Sequence, residues 1–203
     1  MTLDIISWIA VGTILLTSGS LLTSRDWRMS LGALGAQYLA AFWLVTRHLP
    51  FVMGSAKLIT GWMVVAVLGM TCLGLSQVEE EKEDVFLFRG QWFRVILICI
   101  LALVAAGSSI QIEAAIPGIG LQVIAGSLIL IGAGIIHLGL TSVTLRVILG
   151  LLSMLMGFEI IYGAVESSIL VAGLLALTNL GLGIVGSYLL IAGSSAPIIE
   201  EEK

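Results

Sequence analysis

From Asp4 to Arg25 the chain carries no charged side chain, and the same is true from Arg94 to Glu113. A helix crosses the hydrocarbon core of a bilayer with about 20 mainly apolar residues, so uninterrupted runs of this length restrict the fold more than any other feature. They are typical of the whole sequence: 59% of residues are hydrophobic, 11% are charged, and the mean hydropathy is +1.14. A soluble chain sits nearer half apolar and a quarter charged, so this one reads as an integral membrane protein. A net charge of −4 argues against a nucleic-acid binder, and two cysteines are too few for a disulfide-stapled domain. Cys72 and Cys99 both lie inside apolar runs, which suits neither a zinc site nor a redox pair. No basic residue precedes the first run and no small-x-small pattern closes it, so it reads as a membrane helix and not as a signal peptide.

Seven apolar spans follow, at about 4–23, 29–46, 51–76, 92–108, 119–140, 145–165 and 168–192, each closed by charge, proline or a polar cluster. They are apolar on every side, whereas barrel strands alternate, so the expected fold is an all-α bundle of about seven transmembrane helices. Basic loops are retained on the cytoplasmic side. With seven spans, Arg25, Arg28, Lys82, Arg89, Arg94, Arg146 and Lys203 share one side and Arg47 the other, which predicts an N-outside, C-inside topology. The expected organisation is a three-helix part (1–76), an acidic cytoplasmic linker (77–91), a fourth helix with an outer loop (92–118), a three-helix part (119–192) and an acidic tail (193–203). The stretch Ser108 to Gly120, with Glu113 and Pro117, reads as a short interfacial segment.

Glu159 is the sharpest signal. A carboxylate inside a span costs about 2.5 kcal/mol or more and is turned toward protein, water or a partner. Counted from Arg146 at ~1.5 Å per residue, it lies ~20 Å along its helix, too deep to snorkel to the near surface. It reads either as a proton-relay carboxylate or as a structural hydrogen-bonding group, with Gly163 one turn later leaving space beside it. Lys57 stands ~9 Å inside the third span, either snorkelling outward or turned inward as a cationic partner of Glu159. His137, near the cytoplasmic end of span five, is either a proton exchanger or an interfacial histidine. Gln37, Asn179 and Tyr162 can donate or accept hydrogen bonds to a water chain or act as helix glue. Gly181 to Gly186 matches the dinucleotide-binding GxGxxG pattern, but that pattern works after a strand, at a helix N-terminus, and here it falls mid-span. Its glycines read instead as a helix-packing face with Asn179, Gly183 and Ser187, and Gly32, Ala36 and Ala40 make a similar stripe in span two. Trp8, Trp27 and Trp92 read as interfacial anchors. No Ser-His-Asp, Cys-His, metal or haem constellation is visible.

From Met154 the chain reads Met-Leu-Met-Gly-Phe-Glu-Ile-Ile-Tyr-Gly-Ala. This resembles the second helix of the small K subunit (chain 4L) of complex I and of its small counterpart in the Mrp sodium/proton antiporters. The resemblance covers roughly the last 85 residues and implies that spans five to seven are that family's helices, with Arg146 the loop cation and Glu159 the first family glutamate. The family's third-helix glutamate falls at Asn179, a departure that leaves one carboxylate. The whole-chain layout is similar to hydrogenase-4 component E, the longer seven-helix form. What these resemblances imply is a non-catalytic subunit of a proton- or sodium-translocating complex in a prokaryotic inner membrane, with Glu159 and Asn179 at family positions on the ion path; the reading of the residues adds Lys57 and His137 to that path. They also imply an antiporter-like large subunit and an iron–sulfur or hydrogenase module as partners, with no cofactor bound by this chain. A scaffold subunit without its own ion path is the competing expectation, and a small stand-alone transporter a third.

Overall fold

The computed structural model describes residues 2–24, 26–75, 91–166 and 168–194. Residues 77–90 of the expected linker and 195–203 of the expected tail, with Arg25, Lys82, Arg89 and Lys203, lie outside the described residues. Seven helices occupy nearly all of the rest: α1 (Thr2–Thr23), α2 (Trp27–Val45), α3 (Phe51–Gly74), α4 (Gln91–Ala115), α5 (Leu121–Leu140), α6 (Thr144–Val165) and α7 (Ile169–Ser194). The protein is an all-α membrane bundle. Every helix except α2 is long and apolar enough to cross a bilayer. The 19 residues of α2 are spanning length at about 28 Å, but Arg28, Gln37 and Tyr38 lower its hydropathy.

The helices form two layers. One runs α4, α1, α2, α3; the other runs α5, α6, α7, with α5 beneath α4, α1 and α2, α6 beneath α2, and α7 beneath α3. The least apolar helix is therefore an inner one, because a bilayer offers its polar side chains no partner and neighbouring helices must. Outward faces are apolar, with Leu16, Met70, Leu103, Ile169 and Leu170 exposed as lipid-facing groups.

Two boundaries differ from expectation. α4 runs on to Ala115, so Ser108 to Glu113 is helix and not an interfacial loop: no proline precedes Pro117 in this stretch, Gly107 is accommodated within the helix, and the chain turns at Gly118 and Gly120, both at positive φ (108° and 85°). α7 likewise extends through Ser194.

Backbone approach through glycine fixes the α5–α6 pair. A Cβ on Gly134 would stand 2.7 Å from the carbonyl oxygen of Gly150, and one on Gly157 would stand 2.7 Å from that of Ser127. Small residues let helices in lipid approach this closely and gain van der Waals contact, the main attraction available there. On α7, Gly183 faces Val64 of α3 and Gly186 faces Ile148 of α6, while a Cβ at Gly181 meets nothing within 4 Å. Two of the three GxGxxG glycines thus serve packing. Gly163 faces Leu49 of the α2–α3 connection, at 3.0 Å from its Cδ1. The stripe on α2 behaves differently from the expectation that it packs on another helix. Ala40 is buried, but Gly32 and Ala36 line an open groove, and a Cβ on Gly32 would meet nothing within 4 Å.

Gly157→Ala is expected to destabilise the chain by about 1–3 kcal/mol, because the atom it meets is backbone. Gly173→Ala, in open space on α7, is expected to be neutral or stabilising by up to about 1 kcal/mol. Unfolding in detergent by denaturant titration distinguishes the two.

A buried ion pair as candidate functional site

Lys57 and Glu159 lie at matching depth, each ~9 Å inside its helix, counted from Phe51 on α3 and back from Val165 on α6. The structure closes the gap between them: Lys57 Nζ lies 3.7 Å from Glu159 Oε2, and both side chains are under a tenth exposed. Lys57 therefore turns inward and does not snorkel. α3 and α6 are not adjacent in either layer, and the lysine's long stem reaches from one to the other. A cavity of about 10 Å³ adjoins the pair, lined by Tyr38 and Phe42 of α2, Lys57, and Met156, Glu159 and Ile160 of α6. That is room for about one water. Among the described residues Glu159 Oε1 has no hydrogen-bond partner.

Tyr38 forms the next part of the site. Its ring packs against Gly61 of α3, where any side chain would collide with it, and its hydroxyl donates to Asn179 Oδ1 at 2.8 Å. Asn179 is thus held by α2. Gln37, one residue earlier on α2, points to the other side. Its amide donates to Ser18 Oγ at 3.0 Å, and its carbonyl accepts from Ser153 Oγ at 3.0 Å, so α1, α2 and α6 are joined through one fully buried amide. Thr71 and Ser187 are hydrogen-bonded between α3 and α7. Each such bond contributes about 1 kcal/mol, and leaving one unmade costs more.

His137 stands apart from the ion pair. It is buried with Arg94 and Arg146 around a small cavity of about 10 Å³ at the opposite end of the bundle, which puts it ~20 Å from Glu159 along α6. Arg94 donates to the Leu22 carbonyl at 2.6 Å and Arg146 to the Ser24 carbonyl at 3.0 Å. Both guanidinium groups thereby satisfy carbonyls at the C-terminal end of α1, where the helix dipole favours positive charge. Tyr162 is also outside the site; it stacks on the exposed Phe158 with ring centroids 5.7 Å apart. Among the described residues no three His, Cys, Asp or Glu side chains gather as metal ligands.

Sequence reasoning missed Tyr38, Ser18 and Ser153. Tyr38 had one available signal, its place beside Gln37 in the one helix of low hydropathy. Serines in a span carry no such signal, since a serine hydroxyl can bond to its own helix, as Ser7 does to the Leu3 carbonyl at 2.9 Å. Comparison of the chain with protein-family models, with curated proteins and with solved structures finds no match.

The geometry permits one clear chemical act. A proton passed from Nζ to Oε2 converts an ion pair into a neutral pair with no change in net charge, so the site can switch without charging the bilayer interior. At 3.7 Å the atoms must approach by about 1 Å, or use a bridging water in the adjoining cavity.

Lys57→Met alone is expected to cost about 3–5 kcal/mol of stability, since it strands a buried carboxylate, whereas Lys57→Met with Glu159→Leu restores most of that loss. A double-mutant cycle from denaturant unfolding in detergent measures the coupling.

Proposed function

We propose that this chain is a membrane subunit of a proton- or sodium-translocating complex related to complex I, group-4 hydrogenases or Mrp antiporters. In this reading it contributes the Lys57–Glu159 pair to the ion path. The observation that carries it is the pair itself: two opposite charges buried at equal depth, 3.7 Å apart, with one carboxylate oxygen lacking a hydrogen bond among the described residues and a water-sized cavity adjoining. A bilayer penalises each charge, and packed apolar side chains of similar volume are usually at least as stable as a buried ion pair, so stability alone gives little reason to keep it. Ion paths and proton relays are among the roles that intramembrane ionisable residues mark. Tyr38 and Asn179 flank the pair as hydrogen-bonding neighbours and carry no mobile charge of their own at neutral pH.

The chain binds no redox cofactor in this reading, and the driving energy arrives from charge changes in neighbouring subunits, an antiporter-like large subunit and an iron–sulfur or hydrogenase module. In this reading the end of the bundle that carries Arg28, Arg94 and Arg146 faces the cytoplasm, and the N-terminus is outside, in a prokaryotic inner membrane. The ion pair then lies on the outer side of the midplane. In this reading His137, buried near the cytoplasmic end, is a relay between that side and the pair. The competing scaffold reading draws on Arg94 and Arg146, whose bonds to α1 carbonyls are structural.

Affinity purification from native membranes in mild detergent is expected to recover the chain with a large antiporter-like subunit. In the same membranes Glu159→Gln is expected to leave that co-purification intact and to lower coupled ion translocation at least tenfold, read as a fluorescent pH-gradient signal in inverted vesicles. Full translocation by an assembled Glu159→Gln complex would establish the scaffold reading instead.

A further inference from the structure

The outward faces of α2 and α3 enclose a groove of about 550 Å³ that no described helix covers. Gly32, Gly35 and Ala36 of α2 and Val65, Ala66 and Gly69 of α3 make its apolar floor. Gly32 and Gly35 are not needed for close packing within this chain: a Cβ built on either meets nothing within 4 Å, in contrast to the tight approaches at Gly134 and Gly157, while one on Gly69 would only touch Leu31 Cδ1 at 3.8 Å. What they provide is concavity on a surface that faces lipid.

Length and charge select the occupant. The groove runs along α2 from Arg28 to Leu39, ~16 Å, which is half of the ~30 Å hydrocarbon core. Trp62 lies at its inner end, near the middle of α3, where its indole N–H donates to the Gly35 carbonyl at 3.3 Å. One acyl chain of one leaflet spans half of that core, the length of the groove. At the open end the exposed Arg28 guanidinium stands 5.2 Å from the centre of the Trp27 ring, at the level where α2 leaves the bilayer. A cation there is placed to meet a phosphate, and basic side chains beside membrane helices recognise anionic headgroups in this way. The volume lies within the ~300–1,000 Å³ range of small-ligand sites.

We propose that this groove seats one acyl chain of an anionic phospholipid, whose phosphate is held by Arg28. The site is independent of the ion pair. Trp27 steadies the guanidinium from one side and leaves its outer N–H groups for the phosphate, while the glycine floor lets the chain lie against helix backbone.

The test uses the full chain reconstituted in phosphatidylcholine vesicles containing a minority of phosphatidylglycerol, with retained lipid counted by native mass spectrometry. The wild type is expected to keep one lipid per chain, with phosphatidylglycerol preferred about fivefold over phosphatidylcholine, the enrichment one surface cation gives. Arg28→Gln is expected to bring that preference to about one while a lipid is still retained. Gly32→Leu, whose Cβ would meet nothing within 4 Å inside the chain, narrows the groove and is expected to abolish retention, with helix content unchanged by circular dichroism. Equal retention of the two lipids by the wild type would overturn the proposal. So would undiminished retention in Gly32→Leu, and a Gly32→Leu chain that keeps its lipid but loses a protein partner would identify the groove as a helix seat.

Discussion

A bilayer supplies no hydrogen-bond partners, and in this chain the helix that most needs them is α2. It carries Gln37 and Tyr38 in adjacent positions, roughly 100° apart around the helix axis. No single neighbour could satisfy both. Gln37 is met by Ser18 of α1 and Ser153 of α6, and Tyr38 by Asn179 of α7 across a glycine on α3. α2 consequently has contacts of one kind or another with α1, α3, α5, α6 and α7, and the two-layer arrangement follows from where those partners must stand. The Lys57–Glu159 pair sits on the same framework, because Tyr38 and Phe42 line the space between α3 and α6 that the lysine crosses.

The spans were legible because they rest on length and hydropathy alone. Seven helices match seven apolar runs, and the largest departure, the extension of α4 to Ala115, arises because polar residues after Ser108 resemble a boundary when only proline and glycine end the helix. Lys57 and Glu159 were legible for the same reason: a charge in an apolar run is conspicuous. Their equal depth followed from residue counting, but their contact did not, because helix neighbours depend on packing that no periodicity reports. The helices here are apolar on nearly all sides, so no amphipathic stripe announces which face turns inward.

Small residues show the same limit from another direction. Gly157 and Gly32 are both glycines in apolar helices, and of the two only Gly32 stands in a small-residue stripe that the sequence assigns to packing. One meets a backbone carbonyl and the other meets open space. The difference lies in the partner helix, which is absent from the local sequence. Polar residues of modest size were illegible in a related way, since Ser18 and Ser153 acquire meaning only when Gln37 stands between them. Arg94 and Arg146 were readable as loop cations but not as caps on α1, because the carbonyls they satisfy belong to a helix far away in the sequence.

The two ends of the bundle therefore do different work with similar residue types. At the end where α1 terminates, two arginines and a histidine are buried, and both guanidinium groups are bound to backbone oxygens. Charge fixed on backbone carbonyls is poorly placed to move, since any shift would expose the C-terminus of α1. Toward the other end a single lysine faces a single carboxylate whose second oxygen has no hydrogen bond among the described residues, and a water-sized cavity adjoins them. There a proton can change sides without breaking a helix cap, which makes the α3–α6 gap better suited to mobile charge than the end where α1 terminates.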